Sequence, residues 1–154
     1  MKAIETTYKG YRFRSRLEAR WAVFFDALRV KWQYEPQGYV LESGEPYLPD
    51  FYLPKQGMWV EVKGGKPDEG AVAKAKLLCK ATEKEVLILV EPPGFRKVWS
   101  DEITNHKHVL DPSDPMLETL VTLRVRLDVT PEAFTEAAKK ARSARFEHGE
   151  TPTV

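Results

Sequence analysis

The stretch that most constrains the chain is Tyr47-Leu-Pro-Asp-Phe-Tyr-Leu-Pro54, followed after a Lys55-Gln-Gly57 turn by Met58-Trp-Val-Glu-Val-Lys63. Side chains alternate between the two faces of a strand, so Glu61 and Lys63 share one face while Val60 and Val62 enter the other. A carboxylate on a strand whose alternate positions are valines is costly unless it is paired or bound to metal. Asp50, on the preceding strand, brings a second carboxylate to the same place. Two carboxylates arriving from neighbouring strands make a hard-oxygen site suited to Mg2+, which keeps several waters and takes only one or two protein carboxylates. A lysine beside such an ion can hold or help deprotonate an attacking water, or offset charge on a phosphate.

Pro49-Asp50 followed by Glu61-Val62-Lys63 resembles the PD-(D/E)xK signature of metal-dependent nucleases. The string Tyr8-Lys-Gly-Tyr-Arg-Phe-Arg-Ser-Arg-Leu-Glu-Ala-Arg-Trp21 is similar to the opening helix of phage-type members. Those members include the junction-resolving endonucleases of phages and the nuclease subunit of some transposition systems. Glu18 resembles the superfamily's additional acidic residue, and the likeness covers residues 8–91. It implies an α/β fold with a restriction-endonuclease-like core, a mixed sheet flanked by helices in the order αβββαβ, and a C-terminal extension. The implied activity is Mg2+-dependent hydrolysis of DNA phosphodiester bonds by an endonuclease, with Mn2+ as a substitute ion and structure-selective junction cleavage as one of its forms. Glu18, Asp50, Glu61 and Lys63 are then the catalytic set, with Asp50, Glu61, the Val62 carbonyl and Glu18 as metal ligands. The rival function is a non-catalytic nucleic-acid-binding module that keeps the nuclease core as a scaffold, and a third is a purely structural or partner-binding domain.

Read from the residues alone, two roles stand open for Glu18. It follows Ser15 by three positions, which is a capping box and a sufficient structural explanation. It also lies at the shoulder of the apolar stripe Leu17, Trp21, Phe24, Phe25 and Leu28, close enough to the core edge to point along a sheet.

Formal net charge is only +1, so the total does not announce a nucleic-acid partner, but its distribution is uneven. Lys9, Arg12, Arg14, Arg16 and Arg20 crowd the N-terminal stretch, and the centre, with Glu42, Glu45, Asp50, Glu61, Asp68 and Glu69, is acidic. A basic margin beside an acidic pocket suits phosphates beside a cation. Lys9, Arg12, Arg14, Arg16 and Lys66 are the candidate DNA contacts, with a solvated charged face as the alternative. Gly64-Gly-Lys66 lacks the earlier glycine and the following Ser or Thr of a phosphate loop.

A chain of 154 residues is most simply one domain, with residues 1–91 as the core and 92–154 as an extension packing on it or mediating dimer or DNA contacts. A single cysteine, Cys79, excludes an internal disulfide. The N-terminus lacks the apolar core of a signal peptide, and the longest apolar run is Val86–Val90. A soluble, cytoplasmic protein with no membrane partner is therefore expected.

The first strand is expected to begin at Lys31 and continue past Pro36 through Gly38–Leu41, and the second to run from Tyr47 to Leu53, antiparallel to it. The third spans Met58–Val62. Pro67-Asp-Glu then starts a helix with inner face Val72, Ala75, Leu78, Cys79 and Thr82, leading to a buried central strand at Val86–Glu91. Val121, Leu123, Val125, Leu127 and Val129 alternate with polar residues, which favours a strand, although Leu117, Leu120, Val121, Arg124 and Val125 also fit a helix. Thr130-Pro131-Glu132 starts a last helix. A junction-resolving enzyme needs two active sites, so a homodimer is the assembly that substrate requires, with residues 117–146 long enough to supply the contact. His106 and His108 have no third histidine or cysteine nearby, and no metal site is expected there.

Overall fold

The computed structural model describes residues 3–65, 67–89 and 123–146. Within them the chain forms a mixed α/β structure. It opens on a hairpin of β1 (Thr6–Tyr8) and β2 (Tyr11–Phe13), followed by helix α1 (Arg16–Ala27). Next come β3 (Gln33–Tyr34), β4 (Tyr39–Val40), β5 (Pro46–Tyr47), β6 (Phe51–Leu53) and β7 (Met58–Val62). Helix α2 (Glu69–Thr82), strand β8 (Val86–Leu89), helix α3, described over 123–127, and helix α4 (Pro131–Ser143) complete the order. Among the described residues no helix is long and apolar enough to cross a membrane.

The main sheet has the order β3-β6-β7-β8, antiparallel up to β7 and parallel between β7 and β8. A parallel neighbour needs a crossover, and α2 provides it. With the two hairpins set aside, helices and strands up to β8 follow one another as α, three β, α, β. The strand expected in the centre of the sheet, β8, is instead the last in its described order, yet all four of its residues are buried. Both of its faces are covered. Leu87 and Leu89 join the core beneath α1, and Val86 and Ile88 join Ala75 and Leu78 of α2.

Two expected strands are broken. The segment from Lys31 does not run on past Pro36, because Glu35 takes a left-handed φ of 45° and turns the chain. The residue before a proline is disfavoured in the helical region, so this is a strained position held by its surroundings. The β4 strand leaves the main sheet and pairs only with β5, so the expected Tyr47–Leu53 strand is likewise divided. Pro49, which has no N–H to give a ladder, sits at that division.

The aromatic-basic lead into α1 is a hairpin rather than a simple approach. Lys9 and Gly10 both have positive φ, 49° and 79°, the combination that a two-residue turn of right-handed twist requires. Tyr8 and Phe13 enter the core from it.

Ser15 caps α1 by accepting from the Glu18 N–H, and the helix then buries Glu18, Ala19, Trp21, Ala22, Val23, Phe24 and Phe25. That is wider than one stripe because α1 is covered twice, by the sheet and by α4. Phe24 meets Phe134 edge-on at 5.0 Å, while Ala137, Ala138 and Ala141 of α4 are buried small residues that allow close approach. The alternation around Leu123–Leu127 does not produce a strand. Leu123 and Leu127 are buried and Val125 is 55% exposed, which is the helical period of burial and not the strand period of two. Lys66, His106, His108, most of the proposed extension and the 91/92 boundary lie outside the described residues.

Candidate functional site

The register Phe51↔Val60 and Tyr52↔Trp59 sets Asp50 across from Glu61 where β6 and β7 begin to separate. At that point side chains replace the backbone ladder. The Asp50 N–H donates to Glu61 Oε1 at 2.9 Å, and the Val62 N–H donates to Asp50 Oδ2 at 2.8 Å. Each carboxylate is therefore fixed by the other strand. Val60 and Val62 pack in the core, and Lys63 stays with Glu61, its Nζ 3.7 Å from Glu61 Oε2. The Tyr47 hydroxyl, from β5, is a further hydrogen-bond donor to Glu61.

Glu18 arrives from the first turn of α1 and is only 4% exposed. Its Oε2 accepts from Ser15 Oγ at 2.8 Å and its Oε1 accepts from the Tyr34 hydroxyl at 2.9 Å. The Tyr34 oxygen in turn accepts the Arg14 N–H at 3.1 Å. Glu18 thus gives its backbone N–H to the Ser15 cap, while its carboxylate accepts from the same hydroxyl and lies close to the other acids. One carboxylate oxygen each from Glu18, Glu35 and Asp50 lies within 4.8 Å of the other two. Glu35 was not among the residues singled out from the sequence. Simple alternation would send it away from Tyr34, but its positive φ and the hydrogen bond from its N–H to Asp50 O (2.8 Å) bring it to the cluster. A glutamate directly before Pro36 was the one available signal.

Burial holds the Asp50 carboxyl well above the ordinary carboxylate range, and the nearby charges of Glu61 and Glu18 push it further the same way; the Val62 N–H and Lys63 oppose them in part. Burial likewise raises Glu61, against the Asp50 N–H, Lys63 and Tyr47. Burial and the acidic neighbours Glu61 and Asp50 push the Tyr47 phenol upward as well, which keeps it a donor. The protein groups alone leave this concentration of negative charge incompletely offset. An oxygen-only donor set of that kind fits a small hard divalent cation such as Mg2+.

Asp50, Glu61 and Lys63 line a cleft of about 580 Å3 whose wall also includes Arg14, Tyr39, Val40, Pro46, Tyr47 and Leu48. Asp50, Glu61, Lys63 and Glu18 lie in one neighbourhood, but the three acids whose oxygens come within 4.8 Å of one another are Glu18, Glu35 and Asp50, so Glu61 stands outside the expected Asp50, Glu61 and Glu18 group, and Val62 enters through its N–H. The proposed DNA contacts are less uniform. Arg14 reaches the cleft but pairs with Glu35 at 2.8 Å, Lys9 pairs with Asp26 at 3.0 Å, and Arg12 pairs with Glu5. The basic side chains are exposed, but Asp26 and Glu35 are mostly buried and only Arg12–Glu5 is an exposed pair, of the kind worth little individually. Arg16, at the start of α1, also has partners of its own. Comparison of the chain with protein-family models, with curated proteins and with solved structures finds no match, so the reading of this cleft rests on its geometry.

Proposed function

We propose that the chain is a Mg2+-dependent DNA endonuclease of the PD-(D/E)xK type with a restriction-endonuclease-like core. The observation that carries this reading is the reciprocal pair in which Asp50 and Glu61 each accept a backbone N–H from the opposing strand, with Lys63 beside them in one cleft. Both acids are desolvated and hold their protons above the ordinary carboxylate range, so as charged groups they cost stability against which their backbone N–H bonds and Lys63 act in part.

Asp50 and Glu61 would hold the ion, with Glu18, Glu35 and the Val62 carbonyl as further oxygen donors. Mg2+ supplies a water acidified toward neutral pH and charge compensation for the phosphate. Lys63 donates hydrogen bonds to the attacking water or to a phosphate oxygen, its ammonium kept in place by Glu61. Tyr47 and the Asp50 N–H fix the Glu61 carboxylate, and Tyr34 and Ser15 fix Glu18, so that the oxygens are oriented before substrate arrives. Arg14 offers its guanidinium to a flanking phosphate once that group displaces Glu35.

Purified protein is to be incubated with plasmid, linear and branched DNA in Mg2+, Mn2+ or chelator. Cleavage is expected with either ion, absent in chelator, and reduced at least about 100-fold in Asp50→Ala, Glu61→Ala and Lys63→Ala. Undiminished cleavage in a folded Asp50→Ala or Glu61→Ala protein sinks the proposal. Metal-independent, salt-sensitive DNA binding without cleavage would identify a binding module instead.

A further inference from the structure

Arg14 and Glu35 meet at the edge of the acidic cluster, and the two ends of the pair differ in their freedom. The Arg14 backbone is pinned between β2 and the cap of α1, where its N–H donates to the Tyr34 hydroxyl at 3.1 Å. Its side chain is 65% exposed and reaches the wall of the cleft, so the guanidinium can turn without moving the main chain. The Glu35 side chain is only 20% exposed, and its backbone is fixed by the N–H that it gives to Asp50 O. Arg14 Nε lies 2.8 Å from Glu35 Oε1, yet that oxygen, itself buried, accepts no hydrogen bond among the described residues. The contact is therefore one of charge alone, and a second cation can supply the same charge without the loss of a hydrogen bond. Glu35 cannot be left bare, because a carboxylate withdrawn this far from water is costly once its counter-charge leaves. A phosphate that drew Arg14 away on its own would incur that cost beside Glu18 and Asp50, whose oxygens lie within 4.8 Å of the one on Glu35. A divalent cation among those three oxygens removes it.

We propose that Arg14 and the divalent cation exchange at Glu35: in the metal-free chain the guanidinium is held at the acidic cluster, and the arriving ion releases it to a DNA phosphate. The inference rests on the nuclease reading given above and adds its regulation, an order in which metal binding precedes tight binding of substrate. One cation replaces another at Glu35, and the displaced charge is delivered to the anion of the substrate. Metal and DNA both favour the state with Arg14 swung away from Glu35, so each raises the affinity for the other by the same factor. A cleft whose arginine is committed until the ion is in place does not hold DNA unproductively.

Ca2+ takes oxygen ligands of the same kind as Mg2+ and serves as the probe ion. Calorimetry measures its binding without DNA, and fluorescence anisotropy measures the binding of labelled linear and branched duplexes in chelator and in Ca2+. The chains compared are wild type, Arg14→Gln, Glu35→Gln and the double variant. Ca2+ is expected to tighten DNA binding by wild type about 10-fold, and Arg14→Gln to bind Ca2+ about 10-fold more tightly than wild type because its competitor is gone. In chelator, Glu35→Gln should bind DNA about 10-fold more tightly than wild type, whereas the same change on the Arg14→Gln background should gain less than about 2-fold. A gain of equal size on both backgrounds reflects only the loss of a repelling charge and overturns the exchange. So does a Ca2+ affinity unmoved by Arg14→Gln, an exposed substitution that keeps the N–H to Tyr34 and decides the matter where Glu35→Gln loosens the fold. Mg2+-dependent cleavage alongside either of those two results leaves the nuclease reading standing without the exchange. The expected coupling without cleavage of any DNA in Mg2+ supports the exchange and overturns the nuclease reading, and absence of both Ca2+ and DNA binding overturns both.

Discussion

Asp50 and Glu61 burden the metal-free fold, and neutralising either one removes charge that the protein groups only partly offset. Asp50→Asn and Glu61→Gln keep an oxygen to accept the same backbone N–H, so each variant is expected to melt about 2–4 °C higher than wild type in chelator, a gain of about 1 kcal/mol. The pH dependence follows from the same direction of shift. Because both carboxyls hold their protons more tightly in the folded chain than in the unfolded one, their contribution favours folding at low pH. It is lost as pH rises from the ordinary carboxylate range through the raised folded values. Thermal melts of the metal-free protein should therefore show wild type losing stability between mildly acidic and neutral pH relative to the doubly neutralised variant. Addition of Mg2+ should raise the melting temperature of wild type and leave Asp50→Asn nearly unmoved, since an ion that binds only the folded state stabilises by mass action. A wild-type melting temperature indifferent to Mg2+ at millimolar concentration would contradict the assignment of these oxygens.

Helix α1 carries Glu18 and its position depends on α4. Phe134 is nearly buried and meets Phe24, so Phe134→Ala is expected to cost about 3–4 kcal/mol in denaturant unfolding. Under the proposed function, cleavage by the folded fraction of that variant should change far less than in Glu18→Gln, because Phe134 packs on Phe24, six positions along α1 from Glu18. The β1–β2 turn offers a second check. A Cβ on Gly10 meets nothing within 4 Å, but its φ of +79° disfavours any L side chain, so Gly10→Ala should cost about 1 kcal/mol through backbone strain alone. The elements differ in how plainly their residues announce them. Ser15 and Asp68 cap α1 and α2 where the sequence indicates, and Met58–Val62 is a strand with the bounds that alternation predicts. The β1–β2 hairpin is hidden because its turn uses Lys9, not the Asn or Asp usual at such a position. The α3 segment misleads because Leu123, Val125 and Leu127 alternate as a strand would while the first and last also stand a helical turn apart, and only packing against the core decides which period is buried.

Among the described residues, the succession of helices and strands around the site was legible because those signals are local, whereas the sheet order was not: β8 ends the sheet, and β4 and β5 leave it where the positive φ angle of Glu35 turns the chain and Pro49 interrupts the ladder. The same angle explains why Glu35 was not foreseen as a member of the acidic cluster, while Asp50, Glu61 and Lys63 could be brought together from spacing alone. Charge shows the converse. Counting basic residues near the N-terminus suggested a phosphate-holding margin, but Lys9, Arg12 and Arg14 all face acidic partners, which composition cannot reveal. With a net charge of +1 and such pairs to be exchanged, DNA affinity should depend only modestly on salt. A slope of log K against log salt of about −2 to −3 is expected, reflecting few neutralised phosphates. Titrations between 50 and 300 mM NaCl (roughly the range over which such slopes are read) would measure it, and a slope several times steeper would point to a basic surface outside the cleft.

Glu18 belongs to two systems at once, the start of α1 through Ser15 and the acidic cluster through Asp50 and Glu35. If the proposed chemistry were given up, Glu18 would still steady the Ser15 hydroxyl that caps α1, and positions 50 and 61 would still need an oxygen to accept the Val62 and Asp50 N–H groups. Lineages without the activity should thus keep Glu18 and exchange Asp50 and Glu61 for their amides before any apolar residue.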